Sequence, residues 1–155
     1  MMEPIEILVL GIPKTAGSKR GFAVKKGGQY TGRVVIMDDS GQAGTDWRGD
    51  VKAAALRVVG GAPLLTGAIR LDVEFHLPRP AGHFGTGRNA GRLKKTAPQH
   101  HTKKPDRTKL LRSVEDALTK IVWADDSQVV AGECVKEYTN IDRPGVRIQV
   151  SEVSG

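Results

Sequence analysis

The chain has 155 residues and a mass of 16.7 kDa, about one domain at roughly 150 residues each. Hydrophobic residues make up 39% and charged residues 26%, which excludes a disordered composition and supplies one apolar core. Lys plus Arg number 24 against 17 Asp plus Glu, so the net charge is +7; this points to a polyanionic partner, while no stretch approaches the roughly 20 apolar residues of a membrane span.

Cys134 is the only cysteine, which rules out a disulfide framework and a multi-thiolate zinc site. The expected setting is a reducing cytoplasm. Met1 to Gly11 carries two acids and no basic run, so it does not read as a secretion signal. A single domain over residues 1–155 is the expectation.

Ile5 to Ile12 is a short apolar run closed by Pro13 and reads as a strand. Lys14 to Lys19, with Gly17 and Ser18, reads as a basic loop. Gly21 to Val24 and Arg33 to Met37 read as two strands about the Lys26-Gly27-Gly28-Gln29 turn. Asp38 to Gly44 is turn-like. Thr45 or Asp46 is placed to cap a helix running to about Val59, with Trp47, Val51, Ala54, Ala55 and Val58 at helical spacing. Gly60-Gly61 and Pro63 stop it.

Ala68 to Leu77 alternates cleanly. Ile69, Leu71, Val73 and Phe75 fall on one face, and Arg70, Asp72, Glu74 and His76 on the other. Residues 78–105 form a Pro/Gly-rich segment without periodicity, either a solvated loop or a functional one. Most of the charge excess lies there: from Arg79 to Arg112 the chain holds ten basic residues and one acid, Asp106. The rest of the chain is slightly acidic.

From Asp106 to about Val122 the apolar residues Leu110, Val114, Ala117, Leu118 and Ile121 share one arc of a helix. Asp106, Lys109, Ser113 and Asp116 fall on a polar edge beside it, and Glu115 lies about 180° from Asp106. Trp123-Ala124-Asp125-Asp126 is a turn. Gln128 to Tyr138 and Val146 to Val150 read as strands, with Asn140 to Gly145 joining them as a hairpin. The fold class is α/β (α+β): a small mixed β-sheet with two main helices packed on it. Trp47 and Trp123 are expected in or beside the core, Cys134 as a core thiol, and His76, His83 and the pair His100-His101 as ordinary strand-end or loop residues.

Two carboxylate groups flank the second helix, Asp106 at its start and Asp125-Asp126 after its end. Clustered carboxylates suit Mg²⁺ or Mn²⁺, hard cations that prefer oxygen ligands. Such an ion can polarise a phosphate and activate a water. About 15 helical residues separate the ends by roughly 23 Å. Asp106 and Asp126 therefore meet only if the following chain folds back along the helix. On spacing alone, a helix-start acid and two turn acids are the simpler reading of these residues. Lys109 and Arg112 are the cations placed to steady charge on a phosphate.

Lys104-Pro105-Asp106-Arg107-Thr108-Lys109-Leu110-Leu111-Arg112, then Asp116-Ala117-Leu118-Thr119-Lys120, then Asp125-Asp126-Ser127-Gln128-Val129-Val130, resembles the RusA family. These are endodeoxyribonucleases that resolve Holliday junctions, often encoded by phages and prophages. Gly11-Ile12-Pro13 before a basic loop and His76-Leu77-Pro78 before the basic segment are also similar. The resemblance implies a RusA-like fold, Mg²⁺ (Mn²⁺ as the alternative), a homodimer, branched DNA as partner, and a role in DNA recombination and repair in a bacterial or phage-infected cytoplasm.

Residue by residue, the resemblance implies Asp106 and Asp126 as metal ligands, Arg112 as the basic catalytic residue and Asp125 as a supporting acid. The second Asp of the family's Asp-x-Asp pair falls on Thr108, a departure; its hydroxyl would hold an ion through water. Asp72, Glu74 and Glu115 are the alternatives for a third carboxylate. DNA contacts are expected from Lys14, Lys19, Arg20, Arg79, Arg88, Arg92, Lys94, Lys95, Lys103, Lys104, Arg107 and Lys109. The alternative reading is a catalytically weakened nucleic-acid-binding protein, motivated by Thr108.

Overall fold

The computed structural model describes residues 3–16, 19–38, 41–139 and 143–155. Seven strands and two helices follow the order β1 (Ile5–Leu10), β2 (Lys19–Lys26), β3 (Gln29–Asp38), α1 (Gly41–Val59), β4 (Ile69–Leu77), α2 (Arg107–Leu118), β5 (Val129–Ala131), β6 (Cys134–Tyr138) and β7 (Gly145–Glu152). This is the mixed sheet with two main helices that the sequence predicts. Among the described residues, the hairpin β2–β3 pairs only with itself. Both of its strands run longer than the sequence reading has them, from Lys19 and to Asp38.

The main sheet has the order β1-β7-β4, with β5 and β6 on the far edge of β4. β7 runs antiparallel to β1 and to β4, whereas β5 and β6 run parallel to β4. The predicted hairpin from Tyr138 to Val146 is therefore absent. β6 and β7 both hydrogen-bond to β4, which lies between them. Asn140, Ile141 and Asp142 lie outside the described residues, as do Gly17 and Ser18.

One sheet face is closed. Ile7 and Val9, Ile69 to Leu77 at every second position, and Val146, Ile148 and Val150 are buried against the helices. The period-2 pattern of β4 sets this directly, because a one-residue slip would turn every one of its apolar side chains to water. Trp47, Val51, Ala54 and Ala55 of α1 and Leu110, Val114, Ala117 and Leu118 of α2 close the same core. Trp123 is fully buried as well, its indole N–H donating to Thr119 Oγ1 at 3.2 Å.

Three details differ from the sequence reading. α1 starts at Gly41, one turn earlier than the predicted cap at Thr45 or Asp46. Ser113, assigned to a polar edge, is fully buried, and its Oγ has no hydrogen-bond partner among the described residues. α1 packs against α2, so the buried arc of α2 is wider than its apolar side chains mark out. The strand expected from Gln128 to Tyr138 is broken at Gly132-Glu133. A Cβ on Gly132 would lie 1.7 Å from the Leu71 carbonyl oxygen, and its φ is +144°, so only glycine lets this edge come so close to β4.

Residues 78–105 are built rather than loose. Two 3-10 turns, at Ala81–His83 and Gly87–Asn89, and a Phe84–Leu93 bridge shape the segment. His101, predicted as a solvated loop residue, is half-buried against the Tyr138 ring at 4.7 Å.

Candidate nuclease site

The chain after α2 does fold back along the helix. Arg107, at the first position of α2, donates from Nη1 to the Cys134 carbonyl at 2.9 Å. Lys136 Nζ reaches the carbonyls of Lys103 and Pro105 at 2.6 and 2.9 Å. The residues that return to the start of the helix are thus Cys134 to Lys136. Asp126 lies earlier in the return and stays beside the last turn of α2, where its charge acts on Glu115. Asp106 and Glu115 are nine helical residues apart, about 13 Å along the axis.

Asp106 stands at the N-cap position of α2, yet its side chain makes no capping hydrogen bond. The carboxylate is exposed and lies 3.9 Å from Lys109 Nζ. It is thus left for another partner.

Asp125 takes the structural role instead. Its Oδ1 accepts from the Ser127 N–H at 2.8 Å, as N-cap of a short 3-10 turn over Asp126–Gln128. Gln128 Oε1 accepts from the N–H groups of Asp125 and Ala124 at 2.8 and 2.9 Å, closing a capping box. Gln128 Nε2 then donates to the carbonyls of Leu65 and Gly67, both at 2.9 Å. Hydrogen bonds from Ser127 hold the Asp125 carboxyl below its ordinary value. Gln128 is the residue that sequence reasoning passed over; the Asp-x-x-Gln spacing is the signal that marks it.

Glu115 is the candidate third carboxylate that lies near Asp126. Burial first, then the charges of Asp126 and Asp116, push its carboxyl above its ordinary value. Asp72 is committed elsewhere, to Arg70 at 2.9 and 3.0 Å and to the Glu133 N–H at 2.9 Å. Glu74 lies on the sheet face away from the helices, where it and Glu137 flank His76 at 3.6 and 3.4 Å. Those three are the one group among the described residues whose ligand atoms all lie within 4.8 Å of one another.

An open groove of about 460 Å³ runs past the end of α2, lined by Asp116, Lys120, Asp125 and Asp126 with Arg48 and Lys52 of α1. Arg48 and Lys52, one helical turn apart, were not read from the sequence as site residues. Thr108 and Arg112 are exposed, and with Glu115 they follow one another along one side of α2 at i, i+4 and i+7. Asp116, Asp125 and Asp126 bring carboxylate oxygens to this groove, the ligand type that a hard divalent cation takes, beside the cations Arg48, Lys52 and Lys120.

Of the expected DNA contacts, Lys14, Arg88, Arg92, Lys94, Lys95, Lys103, Lys104 and Lys109 are exposed. Arg79 is spent within the protein: its guanidinium lies 4.4 Å from the Tyr138 ring centre and donates to the Pro98 carbonyl at 2.7 Å. Lys19 and Arg20 open β2, and their side chains lie outside the described set.

The family profile described as Endodeoxyribonuclease RusA matches residues 14–151, most of the chain. The chain belongs to the RusA endodeoxyribonuclease family. It is also 31% identical over 91 residues to an uncharacterized protein, YqaN, of Bacillus subtilis strain 168. That match covers 59% of this chain and 62% of the relative. The RusA match includes α2, the Asp125-Asp126 turn and the whole basic segment. No described helix is long and apolar enough to cross a membrane.

Proposed function

We propose that this RusA-family protein is a Mg²⁺-dependent endodeoxyribonuclease that resolves Holliday junctions by paired phosphodiester hydrolysis, acting as a homodimer in recombination and repair. The observation that carries the reading is the like-charged pair Glu115 and Asp126 beside the exposed side of α2. Two carboxylates that repel one another are relieved by a cation. Asp126 and Glu115 would hold one ion, and Asp106 with, through water, Thr108 would hold a second toward the other end of the helix, since about 13 Å is too far for one ion to span. Mn²⁺ meets the same donor set.

A bound divalent ion supplies polarisation of the scissile phosphate and a water of lowered pKa. The protein's own groups do the rest. Asp125 and Gln128 fix the turn that presents Asp126. Arg112, one turn before Glu115, is placed to balance negative charge that builds on the phosphate in the transition state. The exposed lysines and arginines of residues 78–109 hold flanking phosphates, giving sequence-independent affinity by counterion release.

Cleavage of a synthetic four-way junction in Mg²⁺ tests the proposal. Wild type is expected to cut, and Asp126→Asn to bind without cutting. No cleavage by wild type in Mg²⁺ or Mn²⁺ defeats it. One observation favours a second reading, a DNA-binding protein with weakened catalysis: position 108 is Thr, and Asp106 has Lys109 as its charged neighbour. Junction binding without cleavage under all metal conditions would select that reading.

A further inference from the structure

Beside the start of α2 lies a second cavity, of about 340 Å³, with a different character from the groove at the end of α2, where three acids meet three bases. It opens where β1, β4 and β6 end. β4 and β6 are parallel, and β1 runs in the same direction because both β1 and β4 are antiparallel to β7. Ligands in open sheets gather outside such carboxyl ends.

The floor and walls are apolar and rigid: Leu77 with Pro13, Pro78, Pro80 and Pro105. Tyr138 and His101 add ring surface. Lys14, Lys103 and Lys104 supply the charge, and among the described residues no Asp or Glu lines the cavity. Its shape is held in place, because Lys136 ties Lys103 and Pro105 to β6 and Arg79 bridges Pro98 and Tyr138. His101 Nδ1 is buried without a hydrogen-bond partner among the described residues. Burial, then the nearby Lys136 charge, hold the imidazole below its ordinary pKa.

Lysines alone would draw any anion, but a phosphate gains nothing from proline and leucine walls. A flat aromatic ring does, and a volume near the small end of ligand pockets, roughly 300–1,000 Å³, suits a single ring system. We propose that this cavity receives one unstacked nucleobase of a DNA strand, with the flanking phosphates held by Lys14, Lys103 and Lys104. The His101 ring, which lines the cavity, would pack against the base. Pro105 joins the cavity directly to Asp106, so a base held here fixes the strand beside the start of α2. The inference rests on the nucleic-acid reading above and adds to it a base-binding subsite.

The test uses the full chain in EDTA, so that cleavage plays no part. Affinity at low salt is measured by fluorescence anisotropy for a 15-nucleotide oligothymidine strand and for an abasic strand of equal length and charge. Wild type is expected to bind the base-bearing strand about tenfold more tightly, the scale of one base packed on a protein ring. His101→Ala is expected to lose most of that preference while keeping its affinity for the abasic strand; His101→Gln retains part of it. Equal wild-type affinity for the two strands overturns the proposal and needs no variant. A preference that survives unchanged in folded His101→Ala also overturns it. Failure to bind either strand, or a four-way junction, at low salt would sink the nucleic-acid reading itself, whereas binding without a base preference sinks only the cavity's role.

Discussion

Burial, and next to it the charge of Asp126, hold the Glu115 carboxyl above its ordinary value in the last turn of α2. Asp126 sits where it does because Asp125 and Gln128 lock the turn, and Glu115 is half-buried because α2 lies against the edge formed by β5 and β6.

The first prediction follows from that pair. A carboxyl raised in the folded state keeps its proton at a pH where the unfolded chain has lost it. Its contribution to stability is full at acid pH and is lost as pH rises from the ordinary glutamate value through the folded one. Glu115→Gln should therefore raise the melting temperature at pH 7 by about 2 °C, with the gain fading toward pH 4. Mg²⁺ should raise the melting temperature of wild type more than that of the variant. A pH-independent difference between the two proteins would contradict this account.

Thr108→Asp restores the carboxylate that the family pattern carries at this position. The side chain is exposed in the first turn of α2, where an acid is also favoured by the helix dipole by about 0.3–1 kcal/mol. Half-maximal junction cleavage is expected at about tenfold lower Mg²⁺, equivalent to 1.4 kcal/mol. A metal titration of cleavage rates checks this. An unchanged or higher Mg²⁺ requirement would mean that position 108 does not reach the ion.

Gln128→Ala removes four hydrogen bonds at once, two accepted from backbone N–H groups and two donated to carbonyls. At about 1 kcal/mol net each, with partial replacement by water, the loss should be about 2–4 kcal/mol by urea denaturation. Gln128→Glu keeps the two accepted bonds and loses the donated ones, so it should fall between. A loss under about 0.5 kcal/mol would show that the turn holds without its clamp.

Ser113→Ala runs the other way. The hydroxyl is fully buried with no partner among the described residues, and alanine is the better helix former. The variant should be more stable by about 1 kcal/mol in the same urea assay. Destabilisation would mean that the hydroxyl has a partner after all.

The legibility of the sequence varied with the physics of each element. β4 was readable to within one residue, since alternation over nine positions leaves a single register with the apolar side inward. The apolar arc of α2 was equally plain. The start of α1 was not, because Gly41, Gln42, Ala43 and Gly44 carry no apolar period and two are poor helix formers. The break at Gly132 was hidden for another reason: it depends on the approach of Leu71, 61 residues away in the chain. At the site, the motif placed the acids in order along the chain, but their division of labour needed the fold. Asp106 looks like a helix cap and does not cap, whereas Asp125 looks like a neighbour of Asp126 and is the residue that does.

β6 holds the basic segment at both of its ends. At the near end the Thr139 N–H, just past the strand, donates to the Leu77 carbonyl; at the far end Lys136 grips the carbonyls of Lys103 and Pro105. Within that span Arg79 is tied to Pro98, so residues 81–97 between them are mechanically separate from Asp106. Because the entropy of closing a loop grows only slowly with its length, that stretch is free to lengthen, shorten or change its charge over generations. The surface that meets the substrate can thus diversify while the acids beneath it keep their positions.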